Sequence, residues 1–277
     1  MSDLDRFRVK PGSKLALKDF DPGFKDRHEE HKEALEEIER CQQRLRALQD
    51  LLYAERRHSL LVCLQAMDTG GKDGTINHVL AAMNPQGCRV VPFRQPSAEE
   101  AAHDFLWRVH RGTPARGEVA IFNRSHYEDV LIVRVHNLVP KEVWSRRYER
   151  INAFEKGLAE NDTRILKFFL HISKEEQLAR FRERLEDPTK QWKISEADYA
   201  ERKYWDDYVA AYEEALARCS TEHAPWYVIP SNHKWFRNLT VARIIVEHLE
   251  ALGMGYPKPT VDLEHIRREY HQAAKQA

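Results

Sequence analysis

Residues 59–80 read SLLVCLQAMDTGGKDGTINHVL: an apolar run, a turn with three glycines and a lysine, then a helical pattern that starts near Lys72. Gly70, Gly71 and Gly74 remove side chains where backbone N–H groups must approach an anion. The helix N-terminus adds partial positive charge and Lys72 a mobile full one. Phosphate is the ligand such a turn is built for, and Thr75 is counted with it. The match to G-x-x-x-x-G-K-[ST] is incomplete, because Ala66 stands at the first glycine and Asp73 at the hydroxyl position. Asp68 would repel phosphate unless a divalent cation lay between them, which assigns it to Mg²⁺; capping the turn is its structural alternative.

A second candidate strand end follows in GEVAIFNRSHYEDVL, residues 117–131. It places Asn123 and Arg124 at the carboxyl end of an apolar strand, where open α/β sheets bind ligands. P-loop enzymes commonly carry an Asp there to hold the magnesium shell; Asn123 offers only a neutral oxygen. A helix predicted from near Ser125 would aim Glu128 back at the strand end, so the metal candidates are Asp68, Asn123 and Glu128. A purely structural Arg124 would be an isolated buried cation, which favours a phosphate contact.

The segment KEEQLARFRERLEDPTKQWK, residues 174–193, sorts its charges around a helix. Leu178, Phe181 and Leu185 share one face and are expected to seat it. Glu175, Glu176, Glu183 and Glu186 gather on one flank. Gln177, Arg180 and Arg184 occupy the other, which reads as a track for an anion. Lys190 and Lys193 follow Pro188 on a loop able to close over phosphates and exclude water. Residues 198–219 carry Tyr204, Trp205, Tyr208 and Tyr212, read as core and interface rather than as a base-stacking platform.

The elements that must position these groups can be read from the pattern. Residues 59–64, 89–93, 119–122, 165–172 and 226–229 are short continuous apolar runs, as buried parallel strands are, with helical segments between them. Ser97 with Glu100, Ser173 with Glu176 and Ser195 with Asp198 mark helix starts. A long amphipathic helix is predicted over 27–52, with His28 and His31 solvated at its start. The expected organisation is an arm (1–26), one α/β domain (27–253) with a lid at about 174–195, and a polar tail (254–277). With 44 basic and 44 acidic residues among 277, the chain has no global attraction to nucleic acid or membrane, so any polyanion must be held locally. The four cysteines form no C-x-x-C pair, which argues against zinc. With no apolar leader and no run of 18 apolar residues, the expected location is cytoplasmic.

QAMDTGGKDGT (65–75), FNRSHYEDVL (122–131), SKEEQLARFRERLEDPTKQWKIS (173–195), WDDY (205–208), APW (224–226) and HKWFRN (233–238) resemble the polyphosphate kinase 2 family across about residues 30–252. The resemblance implies a P-loop kinase fold related to thymidylate kinases, with a parallel five-stranded sheet flanked by helices and a helical lid. It implies reversible transfer of a terminal phosphoryl group between inorganic polyphosphate and a nucleotide (AMP, ADP or ATP, with guanine nucleotides as further candidates), dependent on Mg²⁺ or alternatively Mn²⁺. The family roles fall on Asp68 for metal, on Lys72 and Arg124 for the transferred phosphoryl, and on Arg180, Arg184, Lys190 and Lys193 for other phosphates. FRQP (93–96) is similar to an acceptor-side turn, which makes Arg94, with Asn123 and His126, the acceptor candidates. FNRSHYED is similar to a subgroup that uses both AMP and ADP, and the family suggests homodimers or homotetramers. The rival readings are an ATP-dependent nucleoside monophosphate kinase and a non-catalytic nucleotide-binding switch or scaffold. Lys72→Ala is expected to abolish phosphoryl transfer without lowering the thermal unfolding midpoint; normal turnover in that variant would refute the phosphate assignment.

Overall fold

The computed structural model describes residues 3–26 and 31–275. Five strands, β1 (Ser59–Ala66), β2 (Cys88–Pro92), β3 (Val119–Asn123), β4 (Thr163–His171) and β5 (Trp226–Pro230), pair in parallel in the order β2-β3-β1-β4-β5. The helices are α1 (His31–Glu55), α2 (Lys72–Val79), α3 (Ala98–Ala102), α4 (Trp107–Gly112), α5 (Ile132–Val135), α6 (Lys141–Trp144), α7 (Arg147–Glu160), α8 (Lys174–Glu186), α9 (Glu196–Arg202), α10 (Trp205–Cys219), α11 (Lys234–Glu250) and α12 (Leu263–Ala274).

All eight residues of β1 are buried, because helices cover both faces of the sheet; this is why its sequence is continuously apolar rather than alternating. The edge strand β2 is largely exposed. On one face α1 and α11 pack over Leu60, Val62 and Leu64; on the other α10 and the 127–151 region cover Phe169 and Val228. Each such Leu, Val or Phe contributes roughly 1.5–3 kcal/mol. The chain leaves β1 for β2 and β3 on one side, then crosses to β4 and β5 on the other. The carboxyl ends of β1, β3 and β4 therefore meet at the place where open sheets leave a crevice.

Ser97 and Ser173 accept the N–H groups of Glu100 and Glu176, and the Ser195 N–H and hydroxyl donate to the Asp198 carboxylate, so all three mark helix starts as expected. Gly253, at φ +61°, lies just past the end of α11. Residues 3–26 lie on the domain: Leu4, Phe7, Val9 and Leu17 are buried, and the Val9 N–H donates to the Trp226 carbonyl at 2.9 Å. The predicted start of the first helix, residues 27–30 with His28, lies outside the described residues, as does the His31 side chain. No helix among the described residues is long and apolar enough to cross a membrane.

Two expectations fail in physical detail. The helix expected from Ser125 is instead a single 3-10 turn, His126–Val130, because His126 and Tyr127 turn into the core. In the lid, Phe181 alone of the three apolar residues seats α8; Leu178 and Leu185 are 49% and 50% exposed, and the seating face is completed by Gln177 and Arg180.

Beneath the β3 end lies a fully buried polar cluster. Lys167 Nζ pairs with Glu155 Oε2 at 2.5 Å and donates to the Tyr127 hydroxyl and the Cys219 carbonyl; Tyr127 and His126 hold Glu155 Oε1. Burial raises the Glu155 pKa, but Lys167 and the His126 hydrogen bond outweigh it and hold the carboxyl below its usual range. The cluster fixes the 125–128 backbone from below. Glu155→Gln should cost about 3–5 kcal/mol in urea unfolding, since it strands the Lys167 charge, and adding Lys167→Met should recover much of that loss. A small loss for the single change would show that the pair is not what holds this segment.

Candidate active site

The turn from β1 to α2 is held open by its own backbone. Thr69 adopts φ +63°, Gly71 caps α2 at φ +106°, and the Gly70 N–H returns to the Met67 carbonyl at 2.9 Å. A Cβ on Gly70 would lie 2.5 Å from the Ala66 side chain, so the turn closes against the residue that replaces the usual first glycine. Lys72 Nζ rests on the Ala66 carbonyl at 3.3 Å. Burial, then the Arg124 charge, lowers the Lys72 pKa from the usual lysine range, against the pull of Asp68 and Glu128. A phosphate arriving here would meet a cation that is already partly desolvated.

Arg124 follows β3 in a left-handed conformation, φ +60°, with its N–H on the Leu64 carbonyl. This places its guanidinium between two acids, Asp68 at 3.2 Å and Glu128 at 3.5 Å. Glu128, ahead of Asp68, raises the Arg124 pKa and keeps it charged. Asn123 donates from Nδ2 to Asp73 at 2.9 Å.

Two cavities meet at this point. The larger, about 850 Å³, is lined by the phosphate turn, Arg94, Asn123, Arg124, Arg180, Arg184, Lys190, Lys193, Lys234 and Arg237. The smaller, about 290 Å³, is walled by Met67, Leu131, Ile132, Trp205, Tyr208 and Tyr212, with Glu128 and Glu201. Asp68 and Arg124 border both.

Most of the residues singled out from the sequence thus converge, but three do not act as expected. Thr75 is fully buried and returns its hydroxyl to the Gly71 carbonyl, which makes it a helix bond and not a phosphate ligand. His126 is fully buried on Glu155 and reaches neither cavity, so it is not an acceptor contact; burial lowers its pKa and keeps it neutral. Arg180 lines the larger cavity, yet its donors go to Glu176 and to the carbonyls of Thr69, Ser231 and Asn232. With Gln177, which donates to the Asp68 carbonyl at 3.1 Å, it pins the root of the lid to the turn.

The predicted track is not free of acids either. Glu183 reaches the same cavity and binds Lys190 at 2.7 Å and Lys234 at 3.0 Å; these two lysines lower its pKa to about 2. Sequence reading missed Lys234 and Arg237, and it took Trp205, Tyr208 and Tyr212 for core and interface, whereas all three line the smaller cavity. The HKWFRN motif held the first two in plain view, but helix periodicity cannot say which end of a strand a following helix caps.

The donors suit a hard divalent cation: Asp68 and Glu128 offer carboxylate oxygens, with no nitrogen or sulfur ligand beside them. Among the described residues no group of three or more His, Cys, Asp or Glu could hold a metal ion.

The family model for Polyphosphate kinase 2 matches residues 28–254. The chain belongs to the polyphosphate kinase 2 family. It is 53% identical over 264 residues to an AMP/ADP-polyphosphate phosphotransferase of Meiothermus ruber, covering 95% of this chain and 99% of that one. It is 49% identical to an ADP-polyphosphate phosphotransferase of Rhodopseudomonas palustris, with 92% of each covered. The crystal structure of a polyphosphate kinase 2 from Arthrobacter aurescens superposes with a TM-score of 0.94 at 42% identity, over 98% of this chain and 97% of that one. The parallel five-stranded sheet and its flanking helices are therefore those of a polyphosphate kinase 2 family member.

Because Arg180 satisfies loop carbonyls, Arg180→Met should lower stability by about 1.5–3 kcal/mol in urea unfolding and speed hydrogen exchange in the turn. An unchanged midpoint would mean that the side chain is held for a ligand alone.

Proposed function

We propose that this chain transfers the terminal phosphoryl group of inorganic polyphosphate to AMP and ADP, reversibly and with Mg²⁺. Polyphosphate lies in the larger cavity and the nucleoside in the smaller. The observation that carries this is the shared border at Asp68 and Arg124: the larger compartment holds most of the cations and the smaller most of the aromatic rings, and among the described residues only these two with Asp198 line both. A phosphoryl group passing between the compartments must cross there.

The chemistry asks the protein for in-line positioning and charge neutralisation. No general base is required, since the attacking oxygen belongs to an ionised phosphate. Lys72 and Arg124 gather charge on the oxygens of the migrating group; to do so Arg124 exchanges its carboxylate partners for phosphate. Bound Mg²⁺, held by Asp68 and Glu128, would neutralise charge on the polymer end. Arg184, Lys190 and Lys193 follow the polymer outwards, and the lid loop keeps water from the phosphoryl group. On the acceptor side Trp205 and Tyr208 offer faces to a purine. Tyr208 is held by its hydroxyl on Glu201 at 2.8 Å. Arg94 stands at the larger cavity's rim, where it serves phosphate rather than the base.

A coupled assay with polyphosphate and either AMP or ADP should yield nucleoside triphosphate, and transfer from ATP to AMP without polyphosphate should be absent. Trp205→Ala should raise the nucleotide KM about tenfold with the polyphosphate KM unchanged. Phosphorylation of AMP by ATP alone, or equal effects of Trp205→Ala on both substrates, would overturn the assignment.

A further inference from the structure

Arg237 stands on the first turn of α11 and is 2% exposed. Its guanidinium fills the gap that two glycines leave. A Cβ built on Gly71 would collide with Nη1, and one on Gly74 would come 2.9 Å from Nη2. Nε and Nη2 both donate to Asn238 Oδ1, at 3.1 and 2.8 Å. Among the described residues no other acceptor takes a hydrogen bond from it and no carboxylate pairs with it. It also borders the larger cavity. Burial and the adjacent Arg180 push its pKa down to about 9.

A cation buried without counter-charge is expensive, and a fold that only needed to fill this space would place an apolar side chain there. Arg180, the neighbouring guanidinium, is already neutralised by Glu176 and three carbonyls. Arg237 has no such outlet, and its free edge faces the phosphate turn. We propose that Arg237 is a further phosphate-binding residue, a fixed guanidinium set behind Gly71 and Gly74 that clamps the polyphosphate chain. It supplies a donor fork to a turn that lacks the usual first glycine and the usual hydroxyl. The glycine at 74 is thus explained by the arginine it admits. This rests on the reading that polyphosphate occupies the larger cavity.

The test is calorimetric titration of the full chain with tripolyphosphate, and separately with ADP, alongside thermal unfolding without ligand. Arg237→Met should weaken tripolyphosphate binding about 10- to 100-fold, leave ADP affinity unchanged, and raise the ligand-free unfolding midpoint, because the uncompensated charge is gone. Gly74→Ala, which displaces the guanidinium but favours helix, should weaken the same binding, and the double variant should be no worse than Arg237→Met. Undiminished tripolyphosphate binding in Arg237→Met, a loss confined to ADP, or losses that multiply in the double variant would each overturn the proposal. Wild-type protein that binds ADP but no tripolyphosphate would instead sink the underlying reading.

Discussion

The direction of the backbone between β1 and α2 governs the whole site. For N–H groups to face an anion, the carbonyls of the same residues must face away, and buried carbonyls need donors. Gln177 takes Asp68, Arg180 takes Thr69, and Lys72 takes Ala66. The lid helix is therefore part of the glycine-rich turn's own framework, since its root supplies the bonds that hold the Asp68 and Thr69 carbonyls. The polar seating face of α8 follows from this, as does its departure from the apolar stripe that its leucines suggest.

Charge is handled by substitution. Arg124 rests on Asp68 and Glu128, and Lys190 and Lys234 rest on Glu183. Each acid is a stand-in that a phosphate oxygen can replace without leaving a bare cation behind. This reconciles a net charge of zero with a cavity lined by many cations: the positive charge is gathered locally and held in ion pairs.

Much of this was legible in the sequence. The continuous apolar runs gave all five strands, and the Gly-rich turn beside Lys72 was found between β1 and α2 where it was expected, because both signals are local in sequence. Arg124 was legible because a strand end needs a reason to carry an arginine. His126 and Thr75 misled because type and proximity in sequence do not show which way a side chain turns: one enters the core with Glu155, the other bonds within its own helix. Arg237 was hidden for a longer-range reason. It arrives from a helix more than 150 residues downstream of the turn, and only the sheet order brings the two together.

The fastening of α8 also determines how the enclosure can move. Its first two turns are riveted to the 68–69 backbone and to the residues after β5, whereas its far end carries the half-exposed Leu185, one ion pair from Glu183 to Lys234 of α11, and a loop held by its own short-range bonds. Such an element flexes at the tip and stays put at the base. The enclosure can then open sideways at the lid tip, while the backbone of the glycine-rich turn keeps its pose.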